Sequence, residues 1–364
     1  KTGRIVFMSS VVGEMGNGDP AEAADYFERS ATLDPKAARA KTGLAMTKLA
    51  QGDTTAGVKE LEAAAAVDPG AHSDLMLISV ALRRRQWDDA LAAIDALDKK
   101  QPNQPLAPNL RGLALLGKND LAGARKSFER ALEIDASYFP AVVSLARVDL
   151  AEHKADAAQK RLEDFIAKNP KSSQAMLALA EVRAGSGGSK EEVAGLIDKA
   201  IKANPNQIEP RLALVRHYMR SGDPRLAASA AQDALTAIPG RAELYDALGQ
   251  AQQAAGNTNE ALITYGRYAE AAPDSPMPYV RMATLHMMAR DFPAAADSFR
   301  HALAIKPDFV DAQKGLAAID LGQNKVADAL GNAKDMQKQR PKEAVGFVLE
   351  GDIKAARHDW PTAI

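Results

Sequence analysis

The sequence predicts an all-α solenoid built from stacked helix pairs, and three observations predict it. The 364 residues are 46% hydrophobic but only 5% aromatic, and visibly rich in Ala, Leu and charged residues, a mixture that favours helix over strand. Prolines recur at a nearly constant interval, and small residues fall in register with them. The phrase SFERALEIDA at residues 127–136 returns as SFRHALAIKP at 298–307, 171 residues later.

The proline slots are Pro35, Pro69, Pro102, Pro170, Pro205, Pro239, Pro273, Pro307 and Pro341, with Ala136 in the one vacant place. Their spacings run 34, 33, 34, 34, 35, 34, 34, 34 and 34, the length of a helix-turn-helix repeat. Repeats are expected to begin near residues 4, 38, 71, 105, 139, 173, 208, 242, 276, 310 and 344, giving about ten full units and a truncated eleventh in one continuous array over 1–364.

The columns test this register. The twentieth reads Ala23, Gly57, Ala90, Ala124, Ala158, Val193, Ala227, Ala261, Ala295, Ala329 and Ala363. Helix axes approach to about 8 Å only where side chains are short, so this column is expected at the crossing of the two helices. The eighth column faces it and is also small at Ala45, Gly112, Ala146, Ala180, Gly249, Ala283, Ala317 and Gly351, with Val11, Ile78 and Val215 larger. Leu44, Leu77, Leu145, Leu179, Leu214, Leu248, Met282 and Leu316 in the seventh column are expected to fill the core. So are Phe27, Leu61, Ile94, Phe128, Leu162, Ile197, Tyr265 and Phe299 in the twenty-fourth. No repeat can bury its apolar stripe alone, so stacking is obligatory. The repeated phrase is then a second helix, with Ala131 and Ala302 allowing close packing on the next repeat.

Turn chemistry falls between the helices at Gly18-Asp19, Gly52-Asp53, Asn119-Asp120, Gly222-Asp223, Gly256-Asn257, Arg290-Asp291 and His358-Asp359. Gly or Asn takes the left-handed cap that ends one helix, and Asp or Asn starts the next. AGSGGSKEEV, residues 184–193, is one residue longer, and Ser189 and Glu192 have capping-box spacing. Without a GK[ST] ending or a preceding strand it reads as a turn insertion, not a phosphate loop.

A net charge of −1 argues against nucleic acid as a partner. There is no cysteine, which excludes disulfides and thiolate metal sites. No apolar run approaches the roughly 18–20 residues that span a bilayer. The chain starts at Lys1 and stops at Ile364 within a helical pattern, so both ends are expected to be cut from a longer chain. The histidines, His72, His153, His217, His286, His301 and His358, sit in separate repeats, and HExxH and GxSxG are absent. No catalytic, cofactor or metal site is expected.

Three local features stand out. Arg83-Arg84-Arg85 beside Trp87 is either an anion patch or simply cations opposing a helix dipole, and the dipole reading is the simpler. In RMATLHMMAR, residues 281–290, Met282 falls in a core column while Met287 and Met288 fall toward the end of the first helix of the repeat, where soft side chains are either incidental surface or an adaptable binding surface. Arg111 and Glu350 occupy the otherwise apolar seventh column, where a charge must snorkel, or pair as a polar link between repeats.

Spacing, small columns and proline slots together resemble the tetratricopeptide (TPR) repeat family along essentially the whole chain. That resemblance implies a right-handed TPR superhelix whose first helices line a concave groove for a peptide or protein partner. QPNQPLAPNLRGLALL, DLAGARKSFERALEIDASYFPAVVSLARVDLA, EPRLALVRHYMRSGDP and KQRPKEAVGFVLEGD further resemble the TPR-repeat lipoprotein of bacterial PEP-CTERM/exosortase systems. This implies a scaffold of the periplasm or envelope linked to exopolysaccharide production, with a lipid anchor upstream. Carried onto this sequence, the second, fifth, ninth and twelfth columns face the groove: Asn109, Leu113, Leu116, Val143, Arg147, Leu150, Leu177, Glu181, Leu212, Arg216, Met219, Asp246, Gln250, Gln253, Val280, Thr284 and Met287. Arg147 and Arg216 are the expected anchors for carboxylates or backbone carbonyls.

Two other readings compete. A TPR segment of a sugar transferase would carry an asparagine ladder in the sixth column. That column instead reads Gly43, Met76, Leu110, Ser144, Ala178, Ala213, Ala247, Arg281 and Gly315. A cytosolic chaperone adaptor would need a Lys/Asn/Arg clamp over three consecutive repeats, which the matching columns do not supply.

Overall fold

The computed structural model describes residues 20–356, whose regular elements are all α-helices. The chain divides into two compact units, one up to Asn169 and one from Pro170 onward.

The first unit contains α1 (Pro20–Leu33), α2 (Ala38–Ala50), α3 (Thr54–Val67), α4 (His72–Arg83), α5 (Trp87–Lys100), α6 (Leu106–Gly117), α7 (Leu121–Ile134), α8 (Phe139–Ala151) and α9 (Ala155–Lys168). The second contains α10 (Ser173–Gly185), α11 (Lys190–Ala203), α12 (Ile208–Arg220), α13 (Pro224–Ala237), α14 (Ala242–Ala254), α15 (Thr258–Ala271), α16 (Met277–Met288), α17 (Phe292–Ile305), α18 (Val310–Gly322), α19 (Val326–Gln339) and α20 (Val345–Ala356). Each first helix from α2 onward begins at or one residue after the repeat start read from the sequence. Within each unit every helix packs on the one before it, and first helices of consecutive repeats also touch, as α6 does α8 and α12 does α14. Each unit is thus an α–α solenoid. Gly18-Asp19, His358-Asp359, Val11 and Ala363 lie outside the described residues.

The turns repeat one device. Gly52, Asn119, Gly222, Gly256 and Arg290 all have positive φ, as expected, and so do Arg85, His153, Gly187 and Asn324 at the equivalent place. At α6 the Asp120 N–H donates to the Leu115 carbonyl at 2.9 Å and the Asn119 N–H to Leu116 at 3.0 Å, closing the helix in a Schellman motif. Asp53, Asp120 and Asp291 then accept the N–H three residues on to start the second helix. The Ser189–Glu192 capping box is formed. Between repeats, Asp34, Asp68 and Asp135 accept the N–H two residues on. Asp68 also accepts from the Ser73 hydroxyl of the following repeat at 2.8 Å. Burial opposes its ionisation, but the bonds from Ser73 and Gly70 hold it below the usual carboxylate range.

The columns form the core. Ala90, Ala124, Ala158, Ala227, Ala261, Ala295 and Ala329 are fully buried. A Cβ on Gly57 would lie 3.1 Å from the Ala45 carbonyl, so the eighth and twentieth columns do meet. Leu61, Ile94, Phe128, Leu162 and Tyr265 are fully buried, each worth about 1.5–3 kcal/mol. Ala131 and Ala302 are buried as well.

Aromatic members of the twenty-fourth column need extra room, and glycine supplies it. Phe128 and Tyr265 lie against Gly112 and Gly249, the eighth column of their own repeats. Phe27 and Phe299 lie against Gly43 and Gly315, the sixth column of the next. At each glycine a methyl group would collide with the ring.

Candidate interaction surface

In the first unit the expected groove residues lie on α6 and α8, and the equivalent columns of α4 extend the same face. Leu113, Leu116 and Val143 are half-buried, and Leu150 is 37% exposed. Leu75, Leu82 and Leu113 pack against the core formed by Ile78, Ile94 and Leu110, leaving part of their surface open. Arg147 is exposed and has no ion-pair partner among the described residues. Asn109 differs: it is only 6% exposed, and its Oδ1 is buried without a hydrogen-bond partner.

In the second unit the equivalent face is more polar and partly committed to itself. Leu177, Leu212, Met219, Val280 and Met287 are half-buried, while Glu181, Arg216 and Thr284 are exposed. Arg216 pairs with Glu209 at 2.6 Å. Asp246 accepts from Arg281 Nε at 3.0 Å and from Gln250 at 2.7 Å, tying α14 to α16. Gln253 Nε2 reaches Met288 Sδ at 3.4 Å, and Gln253 Oε1 accepts from the Tyr265 hydroxyl. Met282 packs on the Tyr265 core, as its column requires, whereas Met288 is 68% exposed.

Both charges in the seventh column link repeats. Arg111 donates to Asp95 of α5 at 2.5 Å. Glu350 accepts from Gln337 of α19 at 2.7 Å and pairs with Lys354 at 2.9 Å. Those two bonds hold the Glu350 carboxyl below its usual range. In the arginine run, Arg83 and Arg84 end α4 and Arg85 takes the left-handed position. Trp87 lies over Gly117 of the next repeat, where a Cβ would be 2.5 Å from its ring.

One recurrent device escapes the column reading. Residues twelve apart, in the eleventh and twenty-third columns, clasp the two helices of a repeat: Lys48–Glu60 at 3.2 Å, Asp149–Arg161 at 2.9 Å, Gln252–Thr264 at 2.7 Å and Asp320–Asn332 at 3.1 Å. Asp149 is the most buried of these, at 2% side-chain exposure, and it also accepts from Arg125 of the preceding repeat at 2.7 Å. Burial disfavours the Arg125 charge, yet the bonds to Asp149 and Glu152 outweigh it and raise its pKa.

Among the described residues no group of three or more His, Asp or Glu side chains is placed to hold a metal. No described helix is long and apolar enough to cross a membrane.

Stacked helix pairs with these caps and columns define a helical-repeat protein. Two tetratricopeptide-repeat models match the chain, one over residues 75–139 and 212–276, the other over 14–75 and 115–182. Together they cover more than half of it, and the chain belongs to the tetratricopeptide-repeat family. Among solved structures it is similar to yeast Tom70, with 13% identity over 96% of this chain and 88% of that one, at a TM-score of 0.49. It is also similar to the C-terminal part of a TPR repeat-containing protein from Cytophaga hutchinsonii, with 16% identity over 66% and 98% and a TM-score of 0.44. A third similar structure is MamA, with 20% identity over 46% and 96% and a TM-score of 0.39. No curated protein matches the sequence significantly.

Proposed function

We propose that the chain is a non-catalytic scaffold that binds a peptide or protein segment on the faces presented by its first helices. The observation that carries this reading is the open apolar surface of Leu113, Leu116, Val143 and Leu150, aligned across consecutive repeats beside the unpaired Arg147. Core packing does not require these residues to remain exposed, and an aligned apolar strip marks an interaction site. We read the eleven repeats as one array. Its place in envelope processes linked to exopolysaccharide and exosortase systems rests on the resemblance of the four segments quoted above. A periplasmic setting and an upstream lipid anchor rest on that resemblance as well.

Site-specific photo-crosslinking in the host cell tests the scaffold reading. A photoreactive side chain at Leu150 or Met287, on first helices, is expected to capture partner protein. The same group at the exposed Lys160 or Lys199, on second helices, is expected to capture little. Equal capture from both faces, or none from the first helices, overturns it.

A further inference from the structure

We infer that the face formed by α4, α6 and α8 is built for a segment that combines carboxylates with large apolar side chains. This rests on the scaffold reading and specifies its partner. The apolar half of the argument is the strip of Leu75, Leu82, Leu113, Leu116, Val143 and Leu150, each left partly open. Neighbouring first helices stand about 8–10 Å apart, so three of them offer about 20 Å, room for about six residues of extended chain.

The charge half comes from the ionic groups on these helices and in the turns that follow them, of which Arg83 already has an interaction of its own. Asp74 is occupied by Lys100 at 2.7 Å, Asp120 caps α7, and Asp149 is held by Arg125 and Arg161. Glu152 is held by Arg125 and Lys154. Of these carboxylates Asp120 alone has no cation partner among the described residues, and it is engaged by the N-terminus of α7. Among the cations, Arg111 is paired with Asp95 and Lys118 with Asp88. Arg84, Arg85 and Arg147 have no ion-pair partner among the described residues and are all exposed. Arg147 falls between Val143 and Leu150 on α8, and Arg84 and Arg85 come two and three residues after Leu82, where α4 ends. Guanidinium groups bind carboxylates through paired N–H bonds, so the unspent charge here is of the kind that selects acidic partners. In the second unit the arginine that falls in the groove columns, Arg216, is already paired with Glu209, and Arg281 is paired with Asp246.

The test is selection of a random short-peptide library on the immobilised whole chain, followed by anisotropy titration of the enriched peptides. Peptides carrying both Asp or Glu and Leu, Ile or Phe are expected to be enriched. Exchanging their acidic residues for Lys, or their apolar residues for Ser, should weaken binding by about tenfold or more. A chain with Arg84→Glu and Arg147→Glu, checked for unchanged helicity, is expected to prefer the Lys version. Leu150→Ser should weaken binding of every selected peptide. Enrichment of basic or uncharged peptides that still depend on Leu150 overturns the inference while leaving the scaffold reading standing. No enrichment at all also overturns the inference, and the crosslinking experiment separately decides whether the scaffold reading survives.

Discussion

A methyl group on Gly112 would come well inside van der Waals contact with the Phe128 ring. The ring is fully buried in a cluster with Ala131, Ala141 and Leu145. Alanine is normally the better helix former by about 0.5–1 kcal/mol, so at this position two effects oppose each other. Overpacking wins, and Gly112→Ala is expected to lose about 1–3 kcal/mol by chemical denaturation. Adding Phe128→Leu should recover part of that loss. Additive losses in the double variant would show that the pair does not interact.

Asp149 is expected to be the most sensitive carboxylate in the first unit. Asp149→Ala leaves two guanidinium groups, each about three-quarters buried, without their shared acceptor. A loss of about 2–3 kcal/mol is expected, below the range for fully buried pairs because both arginines keep some solvent. Asp149→Asn, which keeps an acceptor, should lose less, and thermal melting of both variants checks the order.

The left-handed turn positions give a stabilising prediction. His153 and Arg290 adopt φ of 60° and 59°, which is costly for a residue with a Cβ. His153→Gly and Arg290→Gly are each expected to gain about 0.5 kcal/mol, after the extra chain entropy of glycine is subtracted. The reverse change, Gly222→Ala, should cost about 1 kcal/mol, and open space around its Cβ makes this a pure backbone effect. Opposite shifts in melting temperature are the check.

Asp320 predicts a pH dependence. Burial, with Asp328 nearby, pushes its carboxyl above the usual range. The folded state therefore favours the protonated form, and ionisation becomes a net cost to stability as pH rises through the folded-state value. Asp320→Asn keeps an acceptor for the Asn332 amide and removes that cost. The variant should be more stable than the parent at neutral pH, with the difference vanishing near about pH 3, below the unfolded-state pKa. A gain that persisted unchanged in acid would contradict this origin.

The period, the caps and the core were legible because each depends on residue size or backbone freedom, which a single column can display. Ala90, Ala124 and Ala158 are small for the same reason, and Gly52, Asn119 and Gly222 share one dihedral requirement. The glycine–ring pairs were harder to read because the void moves between the sixth and eighth columns with the neighbour that supplies it. The clasps were invisible in any one column: position is kept while chemistry changes from Lys48–Glu60 to Asp149–Arg161 to Gln252–Thr264. Along the expected groove, spacing predicted the face but not its commitments. Asn109 is buried, and Asp246 and Gln250 are bonded to each other across one helical turn, facts that depend on neighbours outside their columns.

That variation in the clasps bears on how the chain reaches its fold. Near-identical hairpins in tandem invite mispairing, in which one helix docks on a copy from elsewhere in the chain. Exchange between the second and fifth repeats would set Lys48 against Arg161 and Asp149 against Glu60, cation on cation and anion on anion. Where the clasp is ionic, as in these two hairpins, the pair of charges acts as an address that the other hairpin's helix does not answer.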